Sequence, residues 1–205
     1  MNKANIILRH FRGIFQQAQL RTVLACAFLW GSAGAALEAA DTAKAKGEFP
    51  DSYYYYEEDR PANLRAMEGQ PAPALTVKDW IGEALEVAKL KGKVVVVDFW
   101  GTWCPPCRDA LPKNVKMVKE HGKAGLVIIG VHDAKRGADK MAAMARKEKI
   151  NYPLSVDDGG KSTKTWNVQF WPSYFVIDRK GVIRAAGVAP DSVEKVVKKI
   201  LADKG

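Results

Sequence analysis

Thiols and imidazoles are scarce: three cysteines and three histidines stand among 205 residues. Cys104 and Cys107 form a C-x-x-C pair, and no second Cys/His pair accompanies them. A structural zinc site takes four ligands, so a zinc knuckle is excluded and no metal site is expected. An inert staple closing so short a loop would add little stability. Cys26 stands alone in an apolar stretch and reads as a small hydrophobe. His10 and His121 belong to no motif. Acids are missing from residues 1–21, which carry Lys3, Arg9, Arg12 and Arg21. A nucleic-acid motif is also missing, although the net charge is +9. The lysines are scattered over several predicted helices, which reads as solvated faces, with attraction to an anionic membrane or acidic partners, and no nucleic acid.

What is present divides into three parts. Residues 22–37 are uncharged and mostly apolar, and acids follow at once. A basic flank before and an acidic flank after leave the N-terminus in the cytoplasm and send the rest outward. The run is short for a spanning helix, and Ala33-Gly34-Ala35 suits a cleavage site, so residues 1–37 read as a signal peptide or an uncleaved membrane anchor. Residues 38–69 lack an apolar period and read as a flexible spacer; eight acids against four bases fall in 38–68. The run Tyr53, Tyr54, Tyr55, Tyr56 inside it has no functional reading. Residues 70–205 form the remaining domain. Hydrophobic content of 47% and charged content of 27% are those of a globular protein.

That domain is organised around Val94, Val95, Val96 and Val97, a β-branched run suited to a strand buried on both faces. After Cys104-Pro105-Pro106-Cys107 the pattern turns helical, with Leu111, Val115 and Val118 at i, i+4 and i+7. The two cysteines therefore sit where a buried strand hands over to a helix. Unpaired backbone N–H groups and the positive end of the helix dipole favour a thiolate there. Pro105 and Pro106 suit the first turn, where a missing N–H costs little, and stiffen it. The first sulfur, at the helix start, is placed to face solvent and attack a partner disulfide. The second, one turn in and more covered, resolves the mixed disulfide.

The stretch from Asp98 through Phe99, Trp100, Gly101, Thr102 and Trp103 to Cys107 resembles the active-site signature of the thioredoxin superfamily. Its Trp-Cys-Pro-Pro-Cys form is similar to the TlpA/ResA branch of exported thiol–disulfide oxidoreductases. The resemblance covers about residues 70–201. It implies an α/β thioredoxin-like fold: a central mixed sheet flanked by helices, with an inserted helix–strand segment at residues 134–157. It implies a cis proline at Pro172 facing the pair, and a helix proline at Pro112. Trp171 departs from the small or β-branched residue usual before that cis proline. The resemblance also implies a role for Asp98, where thioredoxin itself has an aspartate. Buried in a valine strand, its carboxyl should have a raised pKa and could relay a proton to or from Cys107. Trp103 should shield the nucleophile, and Trp100 shields it or belongs to the core. With Pro105, Pro106 and Trp171, Trp103 borders the substrate. His132 ends a predicted parallel strand, where a structural histidine is favoured over a catalytic one.

Further elements follow from pattern. Residues 75–78 and 85–88, joined through Asp79, Trp80, Ile81 and Gly82, read as an N-terminal hairpin. Residues 173–177 and 182–186 read as a second hairpin, and Asp191 with Glu194 as a capping box opening the last helix. The expected activity is thiol–disulfide exchange with protein thiols and disulfides outside the cytoplasm, as a reductase, and the expected partners include an upstream electron donor or acceptor. No cofactor beyond the redox-active disulfide is called for, and a monomer is expected. The alternatives are a peroxiredoxin-like peroxidase, which needs threonine or serine where Gly101 stands, and a non-catalytic thioredoxin-fold binding module.

Overall fold

The structure is a computed structural model that describes residues 47–203. The segment 1–37, Cys26 and His10 lie outside the described residues. After two 3-10 turns the elements are α1 (Ala62–Arg65), β1 (Val77–Ile81), β2 (Val94–Trp100) and α2 (Pro105–His121). Then come β3 (Leu126–His132), α3 (Met141–Lys147), β4 (Leu154–Asp157) and α4 (Lys161–Thr165). The chain ends with β5 (Ser173–Ile177), β6 (Ile183–Val188) and α5 (Pro190–Ala202).

One six-stranded sheet runs in the order β1-β4-β3-β2-β5-β6. β2 pairs parallel with β3, and β3 with β4; the remaining pairs are antiparallel. Every residue of β2 is buried, as its four consecutive valines lead one to expect, and the burial extends to Asp98. Alternation along the strand sends Val94, Val96 and Trp100 to one face, with Cys104, Cys107, Leu111, Val193 and Val197. It sends Val95, Val97 and Phe99 to the other, with Leu64, Trp166 and Ile183. Asp98 therefore shares its face with the cysteine pair. The insertion at 134–157 is present as α3 and β4, and the β5–β6 hairpin forms as its turn residues indicate.

Three expectations need correction. The N-terminal hairpin does not form. β1 spans the residues assigned to its turn and pairs with β4, while Val87–Lys89 is a 3-10 turn. The sequence Val-Lys-Asp-Trp-Ile does not alternate cleanly, so the strand's extent and partner are set by the sheet it joins. Here Val77 and Trp80 pack on the second core cluster, which a free hairpin could not offer. The capping box is not made either: α5 starts at Pro190 without a side-chain cap, and Glu194 instead meets Lys198 and His121.

The third concerns the spacer, which is folded from Gly47 onward, within a compact unit that begins there. Phe49, Tyr54, Leu64 and Met67 are buried, and Tyr54 bridges Val188 of β6. A buried polar knot secures this strap. Arg60, 5% exposed, pairs with Glu68 and lies 3.6 Å above the Tyr54 ring. Glu68 also accepts from the Tyr54 hydroxyl and the Ala186 N–H. The strap lacks an apolar period, yet Arg60 and Glu68 satisfy each other inside the fold.

Candidate active site

β2 ends at Trp100, and a short loop delivers Cys104 to the N-cap of α2. Prolines at 105 and 106 carry no N–H, so the helix offers its first one at Cys107. That N–H donates to Cys104 Sγ at 3.3 Å. The two cysteines form a disulfide with Cα atoms 5.3 Å apart. Contrary to the expected asymmetry, both are 2% exposed. Trp103, next in sequence to Cys104, and Trp171 pack on the core cluster to which both cysteines belong. α2 continues through Pro112. Its buried stripe is Cys107, Ala110, Leu111, Asn114 and Met117, while Val115 and Val118 lie at its margin.

The loop before Cys104 is held by His132. The Thr102 N–H donates to His132 Nε2 at 2.9 Å. Nε2 is thus an acceptor, so Nδ1 carries the proton and donates to the Asp133 carbonyl at 2.8 Å. Both nitrogens are committed in the neutral ring, and burial pushes the imidazole pKa down. Thr102 Oγ1 donates to the Gly137 carbonyl at 2.7 Å, tying the loop to the insertion. Trp103 Nε1 donates to Asp133 Oδ2 at 3.1 Å, and the Arg136 guanidinium sits 3.8 Å from the Trp103 ring centre. A Cβ on Gly101 would lie 2.6 Å from Trp103 Nε1, so only glycine lets this ring fold back over the loop. Trp100 is core, fully buried against His132.

Asp98 lies in the middle of β2, 1% exposed, between Gly130 and Tyr174 in register. Burial pushes its carboxyl up to about 8, and hydrogen bonds from Tyr174 and Asn114 only partly offset this. Asn114 Nδ2 donates to Asp98 Oδ2 at 2.9 Å and reaches the Tyr174 hydroxyl at 3.1 Å and the Tyr152 hydroxyl at 3.4 Å. Asp98 Oδ1 has no hydrogen-bond partner among the described residues. Asn114 stands two turns after Cys107 in the buried stripe of the same helix, so the acid it binds and the resolving cysteine lie on one side of α2. Sequence reasoning missed Asn114, Tyr152 and Tyr174. A polar residue inside the apolar stripe of α2 was the available signal.

The Trp171–Pro172 peptide is cis, as the resemblance implied. Trp171 lies at a ring-centre distance of 6.1 Å from Trp103. Phe170, just before it, takes edge contacts from Tyr55 and Tyr56 at 5.0 and 5.1 Å. The tyrosine run thus reaches the proline loop, with Tyr54 buried under it. Among the predicted residues, Trp103, Cys104 and Cys107 follow the C-terminal end of β2, and Trp171 and Pro172 precede the start of β5 paired beside it, with Asp98 deeper in β2 and Pro105 and Pro106 in the helix turn.

Comparison with known proteins fits this geometry. Residues 68–186 match the AhpC/TSA family. The chain is 31% identical over 138 residues to the thioredoxin-like protein YneN of Bacillus subtilis, covering 67% of this chain and 81% of YneN. It is 32% identical over 115 residues to the thiol-disulfide oxidoreductase ResA of Bacillus thuringiensis, covering 56% of this chain and 66% of ResA. A Chlorobium tepidum structure described as the thiol:disulfide interchange protein DsbE superposes with a TM-score of 0.59 at 26% identity, over 67% of this chain and 98% of that one. The chain belongs to the AhpC/TSA family, and with its Cys104–Cys107 pair it is a thioredoxin-like thiol–disulfide oxidoreductase.

Proposed function

We propose that this protein reduces disulfides of protein substrates outside the cytoplasm. Cys104 is the nucleophile, Cys107 the resolving thiol and Asp98 the proton carrier. The Cys104 thiolate attacks one substrate sulfur, breaking the substrate disulfide and releasing one substrate thiolate. Cys107 passes its proton to ionised Asp98 and attacks Cys104 Sγ. The second substrate thiolate leaves, and the Cys104–Cys107 disulfide closes. Two electrons pass to the substrate, and an upstream dithiol donor restores the pair. A carboxyl that titrates near 8 suits this exchange, because it gives and takes a proton close to neutral pH. Trp103, Trp171 and Pro172 border the sulfurs and form the substrate side; Pro105 and Pro106 shape the turn beneath it.

One observation carries the direction. A single backbone N–H reaches Cys104 Sγ, since residues 105 and 106 are prolines. The nearby imidazole is neutral and committed to Thr102. A weakly stabilised thiolate makes the reduced form the stronger electron donor. Gly101, where a peroxidase would need a hydroxyl, is overlaid by the Trp103 ring, which disfavours the peroxidase alternative. Export rests on the charge pattern around residues 22–37; among the described residues no helix is long and apolar enough to cross a membrane. The test is the equilibrium reduction potential of the Cys104–Cys107 couple. A reductase should lie nearer to about −270 mV than to about −120 mV, and a value at the oxidising end would overturn the direction.

A further inference from the structure

An open cleft of about 780 Å³ is walled by Trp103, the residue before Cys104, and by Trp171, the residue before the cis proline. The two indoles give it an apolar wall, and the strand-to-insertion loop and α4 give it a rim. That rim is cationic. Lys135, Arg136 and Lys164 are all exposed on it. The lining holds one carboxylate, Asp133, and it is already engaged. Asp133 Oδ2 accepts from Trp103 Nε1, and Oδ1 from the Lys135 N–H at 3.1 Å. Lys135, Arg136 and Lys164 make no ion pair among the described residues, whereas Lys161, on the same short helix as Lys164, is paired with Asp158. Arg136 is anchored by its stacking on Trp103, which fixes one positive charge directly over the wall. The cleft therefore offers unsatisfied positive charge around an aromatic surface, next to the reacting sulfurs.

We propose that this cleft selects an acidic segment of the partner polypeptide. The segment flanks the exchanging disulfide, with carboxylates facing Lys135, Arg136 and Lys164 and an apolar or aromatic side chain on Trp103 and Trp171. This rests on the exchange activity proposed above and adds its substrate class. Each exposed cation–carboxylate contact changes affinity by about 1.4- to 5-fold, so two give about 2- to 25-fold and three about 3- to 125-fold at low salt. Screening should remove most of that as the Debye length falls from about 10 Å at 0.1 M to about 3 Å at 1 M salt.

The experiment uses the full reduced chain and three disulfide-bearing peptides that differ only in flanking glutamate, serine or lysine. Exchange rates should follow glutamate above serine above lysine at low salt and converge at high salt. Lys135→Glu with Lys164→Glu, which leaves Arg136 on its tryptophan, should reverse the order. Cysteine-free versions of the same peptides, read by fluorescence anisotropy, should bind the chain in the same order. Equal rates and equal affinities at low salt, or an order that survives the charge reversal, overturn the proposal. The parent protein is also given bis(2-hydroxyethyl) disulfide, which is neutral and too small to span the cleft. No reaction with it refutes the exchange activity itself. Reaction with it but no charge order among the peptides refutes only the cleft assignment.

Discussion

Replacing Asp98 by asparagine separates the acid's proton from its shape. The folded chain holds this carboxyl at about 8, against an ordinary value of 3.8. Below the ordinary value both folded and unfolded states hold the proton, and the parent keeps its full stability. As pH rises towards 8, only the unfolded state releases the proton, so stability falls by about 1.4 kcal/mol per pH unit. Asparagine cannot ionise and lacks this slope. Other titrating groups contribute to both proteins and cancel in the difference. Urea titrations should therefore show the parent losing about 3 kcal/mol more than Asp98→Asn between about pH 5 and about pH 7. The same substitution removes the proposed acceptor for the Cys107 proton, so resolution of the mixed disulfide should slow by about 10²- to 10⁴-fold. The first attack by Cys104 should hold its rate, because its thiolate depends on the helix terminus and the Cys107 N–H. Stopped-flow tryptophan fluorescence separates the two steps, with Trp103 beside the sulfurs as reporter. Parallel pH slopes together with a parent-like resolution rate would refute the reasoning and leave Asp98 a satisfied core group.

Four further outcomes are expected. Cys107→Ser should trap mixed disulfides through Cys104 on a thiol-trapping gel; trapping mainly by Cys104→Ser would reverse the two roles. Tyr174→Phe removes a hydrogen bond that favours ionised Asp98, so the Asp98 titration, followed by carboxyl NMR, should move above about 8; a downward move would contradict the network. Arg60→Ala leaves Glu68 largely buried without its cation and should cost about 3–5 kcal/mol in chemical denaturation; a loss under about 1 kcal/mol would show that the strap is not anchored there. A reporter active only in the cytoplasm, fused after Gly205, should be silent if residues 22–37 direct export, and full activity would sink that topology.

The sequence alone determined the central strand, the redox pair and the helix start. Four valines admit one environment, and two prolines between cysteines admit few positions in a helix. It also determined that Asp98 would be costly to ionise, since its neighbours in β2 are apolar. Tertiary structure decided what non-local contacts decide. Val77–Ile81 has no clean alternation, and pairing with the edge of β4 makes it a strand. Residues 47–69 have no apolar period because they bury isolated anchors, Phe49, Tyr54 and Leu64, on a surface built by β6 and α5 more than 100 residues later. Asn114, Tyr152 and Tyr174 are unremarkable apart and converge only because α2 lies over β2, β5 and the segment that leads into β4. His132 and Thr102 are 30 residues apart, and parallel pairing of β2 with β3 brings them to one hydrogen bond. Periodicity reports which face a residue turns to the core; it carries no information on which distant chain meets it there.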